Sequence, residues 1–328
     1  MKKITLLVAV LALGLSFVSC NKEGQYSPRN KIDRIYYSSE DKEEALTDEP
    51  GSTYWTTVYD YITPKEIAEA WEWDGNLLKS ISYYDGNTLD HTEKFEYDGK
   101  RLASVTSGTT RMTLNYDKKE LASVDVYEST TRLGSYKFTH ENGKIVLIKY
   151  YGNPDDYKGT ACQLPVSVLR FIFPNADLRS LNKVMAHAST SVKTKNSRDF
   201  KLEGFDYELK LEWDGDNVSK VLYNENEVEA YATIQYIYDE KDNPFYGLFD
   251  FLKNEESYFV YGNPNLFSKN NVIRMVVQFL GAPEIEEENY SYTYNKTLPT
   301  IRTYSYSDIY NNGESRYSYT ENIYYEYK

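Results

Sequence analysis

One hydrophobic pattern recurs along most of the chain. An arm of alternating apolar residues ends on an aromatic slot, a turn dipeptide follows, and apolar residues come five and eight positions after the slot. Trp73 is followed in this way by Leu78 and Ile81, Tyr97 by Leu102 and Val105, and Tyr116 by Leu121 and Val124. His140 takes the slot before Ile145 and Ile148, and Trp213 precedes Val218 and Val221. Weaker copies start at Tyr238 (Asn243, Tyr246) and Tyr294 (Pro299, Arg302). A period of roughly 19 to 25 residues marks a repeat architecture.

The arm before each turn has period two, as in Phe95 and Tyr97, in Met112, Leu114 and Tyr116, and in Leu209, Leu211 and Trp213. Alternation of this kind predicts half-buried strands, because successive side chains point to opposite faces. Asp74-Gly75, Asp98-Gly99, Asn142-Gly143 and Asp214-Gly215 are hairpin turns in which Gly takes a positive φ without a Cβ clash. After the turn, the step of three between the two apolar residues would put them on opposite faces. One extra residue, a β-bulge, returns both to one face, and bulges are expected near Lys79-Ser80, Ala103-Ser104 and Ala122-Ser123.

Between and around these units the chain reads as follows. Residues 21–30 form a flexible tether, and the acidic stretch Ser38 to Ser52 a solvated loop. Thr63-Pro64-Lys65-Glu66 carries a helix start signal, yet Trp71 and Trp73 share a parity and meet an Asp-Gly turn, which favours a strand. Residues 152–199 break the pattern. They hold Pro154, Pro165 and Pro174 and then Leu178, Leu181, Val184 and Met185 at helical spacing, an insertion with a short helix. The ends are half-units. Ile32 to Tyr37 is a return arm without a leading arm, and Ile323 to Tyr327 a leading arm without its return. The expected fold is therefore all-β, a large antiparallel meander of repeated hairpins in one domain over 31–328. It is either one long curved sheet or a barrel of about 14 to 16 strands closed by pairing 31–37 with 321–328 around the insertion.

Composition sharpens this picture. Thirty-four tyrosines in 328 residues suit sheets with wetted faces. Met1-Lys2-Lys3, the apolar run Ile4 to Val18 and then Ser19-Cys20 make a secretory signal over 1–19 ending in a lipobox, with Cys20 as the lipidated first residue of the mature chain. Removing Lys2 and Lys3 takes the formal charge from −13 to −15. Such acidity excludes nucleic acid as a partner and leaves the lipid as the only expected hold on a membrane. Cys162 is then the single thiol, so no disulfide is expected.

Chemistry-bearing motifs are sparse. His91, His140 and His187 stand far apart in no ligating pattern, so no metal is expected, and no cofactor-binding fingerprint is present. No catalytic residue is singled out; a Cys162–His187 pair is conceivable, but a buried structural Cys is the plainer reading. Trp55, Trp71, Trp73 and Trp213 are the candidate ligand platform, since indole faces stack on sugar rings, against the plainer reading of cross-strand packing.

Three segments with the lipobox carry a resemblance. Tyr238-Asp239-Glu240-Lys241-Asp242-Asn243-Pro244-Phe245-Tyr246-Gly247 precedes Phe267-Ser268-Lys269-Asn270-Asn271 and then Tyr292-Thr293-Tyr294-Asn295-Lys296-Thr297-Leu298-Pro299-Thr300. Together they resemble a Bacteroidetes lipoprotein family of unknown function with a porin-like β-fold, and the hairpin unit is similar to YD repeats. The resemblance implies an outer-membrane location, facing the exterior, and assigns no catalytic residues. His140 in an aromatic slot and Lys118-Lys119 in place of a Gly turn depart from the pattern. Two functions fit: a lipid-anchored envelope protein that binds a glycan or an outer-membrane protein without catalysis, or a carbohydrate-active hydrolase with a carboxylate pair. A transmembrane barrel fits less well, because Glu208-Leu209-Lys210-Leu211-Glu212 puts charge on a face lipid would need.

Overall fold

The computed structural model describes residues 23–49, 52–152, 207–225, 228–248, 267–281, 285–310 and 313–328. Sixteen strands follow one another along the chain: β1 (Ile32–Glu49), β2 (Ser52–Asp74), β3 (Leu77–Asp85), β4 (Thr88–Asp98), β5 (Arg101–Ser107), β6 (Thr110–Asp117), β7 (Glu120–Glu128), β8 (Thr131–Glu141), β9 (Lys144–Gly152), β10 (Tyr207–Asp214), β11 (Asn217–Glu225), β12 (Val228–Asp242), β13 (Asn270–Phe279), β14 (Ile285–Asn295), β15 (Leu298–Tyr310) and β16 (Ser315–Tyr327). Each pairs antiparallel with its neighbours in sequence, and β1 pairs with β16, so the meander closes into a barrel. The closing ladder runs from Ile32↔Tyr327 to Ala45↔Ser315, well beyond the six or seven pairs expected from the half-units.

The spacing of five and eight is explained by the expected bulges. Trp73 faces Leu78 while Glu72 faces Ser80, which leaves Lys79 as the extra residue. Ala103 and Ala122 are the extra residues in the next two units, and Val146 and Ser219 in the units of His140 and Trp213. Both apolar residues are thereby buried on one face, as Leu102 and Val105 show. The slot has a second purpose. Its ring lies on the barrel wall, and in the units of Trp73, Tyr116, Trp213 and Tyr238 its polar atom donates to the carbonyl of the plus-five residue in the preceding unit. Trp73 Nε1 reaches Ile32 O at 2.7 Å, Tyr116 Oη reaches Leu102 O at 2.8 Å and Trp213 Nε1 reaches Ile145 O at 2.8 Å. Tyr238 to Val218 and Tyr327 to Pro299 repeat the bond. Neighbouring hairpins are thus stitched where a phenylalanine would only pack.

The apolar face points inward. Glu23 touches β7 and β8 through the Leu121 amide and His140 Nε2, while Tyr26 lies against Trp71 and Trp73 of β2 and donates to Pro244 O. Along the wall β8 and β2 are six strand spacings apart, about 29 Å. Between them Leu102 N of β5 donates to Gly24 O at 2.8 Å, so the segment runs past the inner wall from β8 to β2. With buried Phe245, packed on Trp71, it fills the end that carries the Asp-Gly turns. Where a loose tether was expected, residues 23–26 pack against the barrel: Tyr26 is buried, and Gly24, at φ 77°, sits so close to Tyr116 that a Cβ would collide with the hydroxyl, while Ser27, Arg29 and Asn30 are exposed.

One further expectation is corrected and one holds. The acidic stretch Ser38 to Glu49 is strand, not loop, because Glu44 pairs with Lys42 and Arg316 and Asp41 accepts from Tyr59. Thr63 to Glu66 is strand as favoured, with the register slipping around Pro64 where β2 gains a residue on β1. The expected helix at 178–185, with Cys162 and His187, and the lipobox Cys20 lie outside the described residues.

Candidate binding face at the tall rim

β1, β2, β15 and β16 are among the longest strands, and on their side the wall rises above the rim at the end opposite the N-terminal segment. Their inward parity can be followed upward from the core. Ile35, Tyr37 and Ser39 of β1 are buried, so Asp41 and Glu43 continue the same face. The pairing then fixes two rows across four strands. Tyr61, Asp41, Tyr319 and Tyr306 form one, and Tyr59, Glu43, Tyr317 and Asp308 the next. Below them Thr63, Ser39, Glu321 and Tyr304 lead into the lumen.

This face is aromatic and acidic. Tyr61 is 64 % exposed, Tyr306 44 % and Tyr59 37 %. Tyr306 and Tyr317 have ring centroids 6.0 Å apart, and Tyr304 and Tyr319 6.3 Å. Tyr59 Oη donates to Asp41 Oδ1 at 2.9 Å, and Tyr37 and Tyr319 share a hydroxyl contact of 3.0 Å. The floor is set by a buried ion pair, Arg302 to Glu321 at 3.0 Å, with Tyr319 donating to Glu321. Burial raises the Glu321 carboxyl above its ordinary value, against the pull of Arg302. Burial likewise raises the Tyr37 hydroxyl, which therefore stays a donor at neutral pH. Rings with carboxylates beside them can stack on the C–H faces of a ligand and accept its hydroxyl hydrogens.

The four tryptophans are not brought together. Trp71 and Trp73 stack at 6.1 Å, but inside the closed end, where Tyr26 and Phe245 cover them; Trp71 is 3 % exposed. Trp213 is a slot residue bonded to Ile145, with Lys144 over its ring. Trp55 stands at the tall rim, on the outer side opposite Leu46, with Arg316 4.5 Å over its ring. A ligand platform built on indoles is thus restricted to Trp55. Sequence reasoning passed over the three Tyr-x-Tyr pairs, 59/61, 304/306 and 317/319, whose period of two was the available signal. His91 bonds Asp90 and stacks on Tyr83, and His140 bonds Glu23. Among the described residues no three metal-ligating side chains gather.

The outward face is polar on the barrel wall. Lys79 pairs with Glu72, Arg132 with Asp125, Lys220 with Glu212 and Arg274 with Glu287, while Ser104 donates to Glu96.

No family model and no curated protein matches this chain. Among solved structures it is similar to a porin-like protein from Bacteroides uniformis ATCC 8492, at 10 % identity over 93 % of this chain and 100 % of that one, with a TM-score of 0.47. It is also similar to a porin-like protein from Bacteroides vulgatus ATCC 8482, at 9 % identity over 88 % and 97 %, with a TM-score of 0.22. At these scores the likeness adds nothing to the strand pairing above.

Proposed function

We propose that this chain is a non-catalytic, lipid-anchored barrel of the outer membrane that binds a neutral glycan on the tyrosine–carboxylate face of its tall rim. Cys20 is the anchor, three residues before the segment that closes the opposite end. The rim therefore faces away from the membrane, toward the exterior for a lipoprotein of the outer leaflet. The carrying observation is the pair of rows, Tyr61-Asp41-Tyr319-Tyr306 and Tyr59-Glu43-Tyr317-Asp308, in which tyrosine rings, three of them exposed, stand beside carboxylates. Carboxylates there repel anionic ligands and favour hydroxyl-rich neutral ones. The ion-paired outer wall is unlike the apolar band of a lipid-facing barrel, which supports a tethered protein over a pore.

Binding of the full-length protein in detergent to arrayed polysaccharides tests this reading. Retention of neutral glycans should drop at least about fivefold in a Tyr61→Ala/Tyr306→Ala variant, since each lost stacking ring is worth about 0.5–1.5 kcal/mol. Equal retention by variant and wild type sinks the site. Asp41 and Glu43 share one face of β1, the arrangement a hydrolase would need, so release of reducing sugar from a retained glycan would favour that second reading.

A further inference from the structure

At the end opposite the tyrosine rim, the described strands turn through residues 75–76, 99–100, 118–119, 142–143, 215–216 and 296–297. The charged residues at these tips are Lys100, Lys118, Lys119, Lys296 and Asp216, and Lys269 pairs with that single anion at 3.6 Å. All four lysines are exposed. Asp74, Asp98, Asp117, Glu120, Glu141 and Asp214 stand one residue back, on the strand ends, and a lysine stem carries its ammonium beyond them. Among the described residues, the two-residue turns at the rim end, 86–87, 108–109 and 129–130, hold only Gly, Asn, Thr and Ser. Two tip lysines are also held against their backbone preference. Lys118 has φ 54° and Lys296 φ 59°, where Gly or Asn costs less. Strain of this kind is kept where the side chain has a task.

The N-terminal segment fastens at the same end. Glu23 is held by His140 Nε2 at 3.0 Å and by the amide of Leu121, beside the 118–119 turn. From Cys20 to Glu23 the chain reaches about 11 Å. A lipid headgroup layer is roughly 5–8 Å deep. Acyl chains on Cys20 therefore bring Lys118 and Lys119 down to the headgroups. Lys296 stands across from them, since the β14–β15 turn lies eight strands round a sixteen-strand barrel from the β6–β7 turn. Exposed Tyr246, next to buried Phe245, belongs to the same end, and a ring with a polar tip suits a membrane interface.

We infer that this end is a membrane-contact face, on which the tip lysines bind the phosphates of anionic lipid headgroups. The inference rests on the acylation of Cys20 proposed above. Net charge argued against such contact, but its distribution does not. Asp41, Glu43, Glu44, Asp48 and Asp308 stand about 30 Å or more up β1 and β15, far beyond a Debye length of about 8 Å. Contact beside the anchor and across from it holds the barrel upright, with the rim pointing away from the membrane.

The test uses the acylated protein with Cys162→Ser and a dye attached through Thr293→Cys, on the side away from the anchor, or through Ser307→Cys, at the rim. It is reconstituted in vesicles of phosphatidylcholine, with or without phosphatidylglycerol, that include a lipid carrying a nitroxide quencher on its headgroup. Dye at Thr293 should be quenched more when phosphatidylglycerol is present, and dye at Ser307 in neither case. In Lys118→Gln/Lys119→Gln/Lys296→Gln, the ratio of docked to undocked protein read from the quenching should fall at least about tenfold, since each lysine at an anionic surface is worth about fivefold. Circular dichroism and glycan retention should stay as in wild type. Equal quenching in the two lipids, equal quenching of variant and wild type, or quenching at Ser307 as strong as at Thr293 would overturn the inference. So would release by inorganic phosphate at constant ionic strength, which would mark a free anion as the ligand. Protein that washes off the vesicles would overturn the inference together with the anchor, whereas protein that stays and fails these comparisons overturns the inference alone.

Discussion

At the scale of the residue, the aromatic slot is the most informative position in the chain. Tyr116 gives its ring to the wall and its hydroxyl to Leu102 O. Replacing it by Phe keeps the ring and leaves that carbonyl unpaired, so Tyr116→Phe should lower unfolding stability by about 1 kcal/mol in urea titrations. No loss would mean that the slot only packs. Lys118 makes the converse case. It holds φ at 54° in the turn where the other strong units place Gly or Asn-Gly. Lys118→Gly should therefore raise stability by about 1 kcal/mol, measured the same way, since the strain of an L residue in that region outweighs the entropy of the freer chain. The slot was legible as an aromatic position, but its hydrogen bond was not. That the slots hold Trp and Tyr and never Phe was the clue. His140, which looked like a departure, keeps the logic of a ring with a polar tip and spends it on Glu23, a contact 117 residues away that spacing cannot show.

At the scale of the element, hairpins and bulges were legible because both follow from counting. A step of three on a period of two demands one extra residue, and Lys79, Ala103 and Ala122 are those residues. The acidic stretch after Ser38 was misread because a loop was inferred from charge alone, whereas its carboxylates divide between the two faces of a strand and find Lys42, Arg316 and Tyr59. The tyrosine rows were hidden for a related reason. Parity places two tyrosines on one face of one strand, but only the register of four strands makes the rows. Their floor predicts a pH dependence. The Glu321 carboxyl is raised in the folded protein, so between its ordinary value, about 4.3, and the raised one the folded state holds the extra proton. Stability contributed by that proton is complete below the window and is lost as pH rises through it, by at most about 1.4 kcal/mol per pH unit. Urea unfolding at several pH values should show this decline in wild type and a flatter profile in Glu321→Gln, which is also less stable near neutrality because Arg302 loses its carboxylate. The same slope in both proteins would remove Glu321 from the account.

At the scale of the whole molecule, closure was legible from the two half-units, Ile32–Tyr37 and Ile323–Tyr327, each of which needed a partner strand. The closed end was not, since nothing in residues 23–30 announces that Glu23 and Tyr26 touch β8 and β2. The outcome is a barrel with its apolar face within, interrupted by the buried Arg302–Glu321 pair, and exposed ion pairs on its outer wall. That polarity is the central claim, because it separates a tethered binding protein from a pore. The most direct measurement expresses the chain from Asn21 onward and follows its behaviour without detergent or lipid. The account predicts a folded, β-rich protein that stays dispersed in aqueous buffer and passes no ions when added to a planar bilayer. A chain that stays in solution only with detergent or lipid, or that opens conductances, would contradict it.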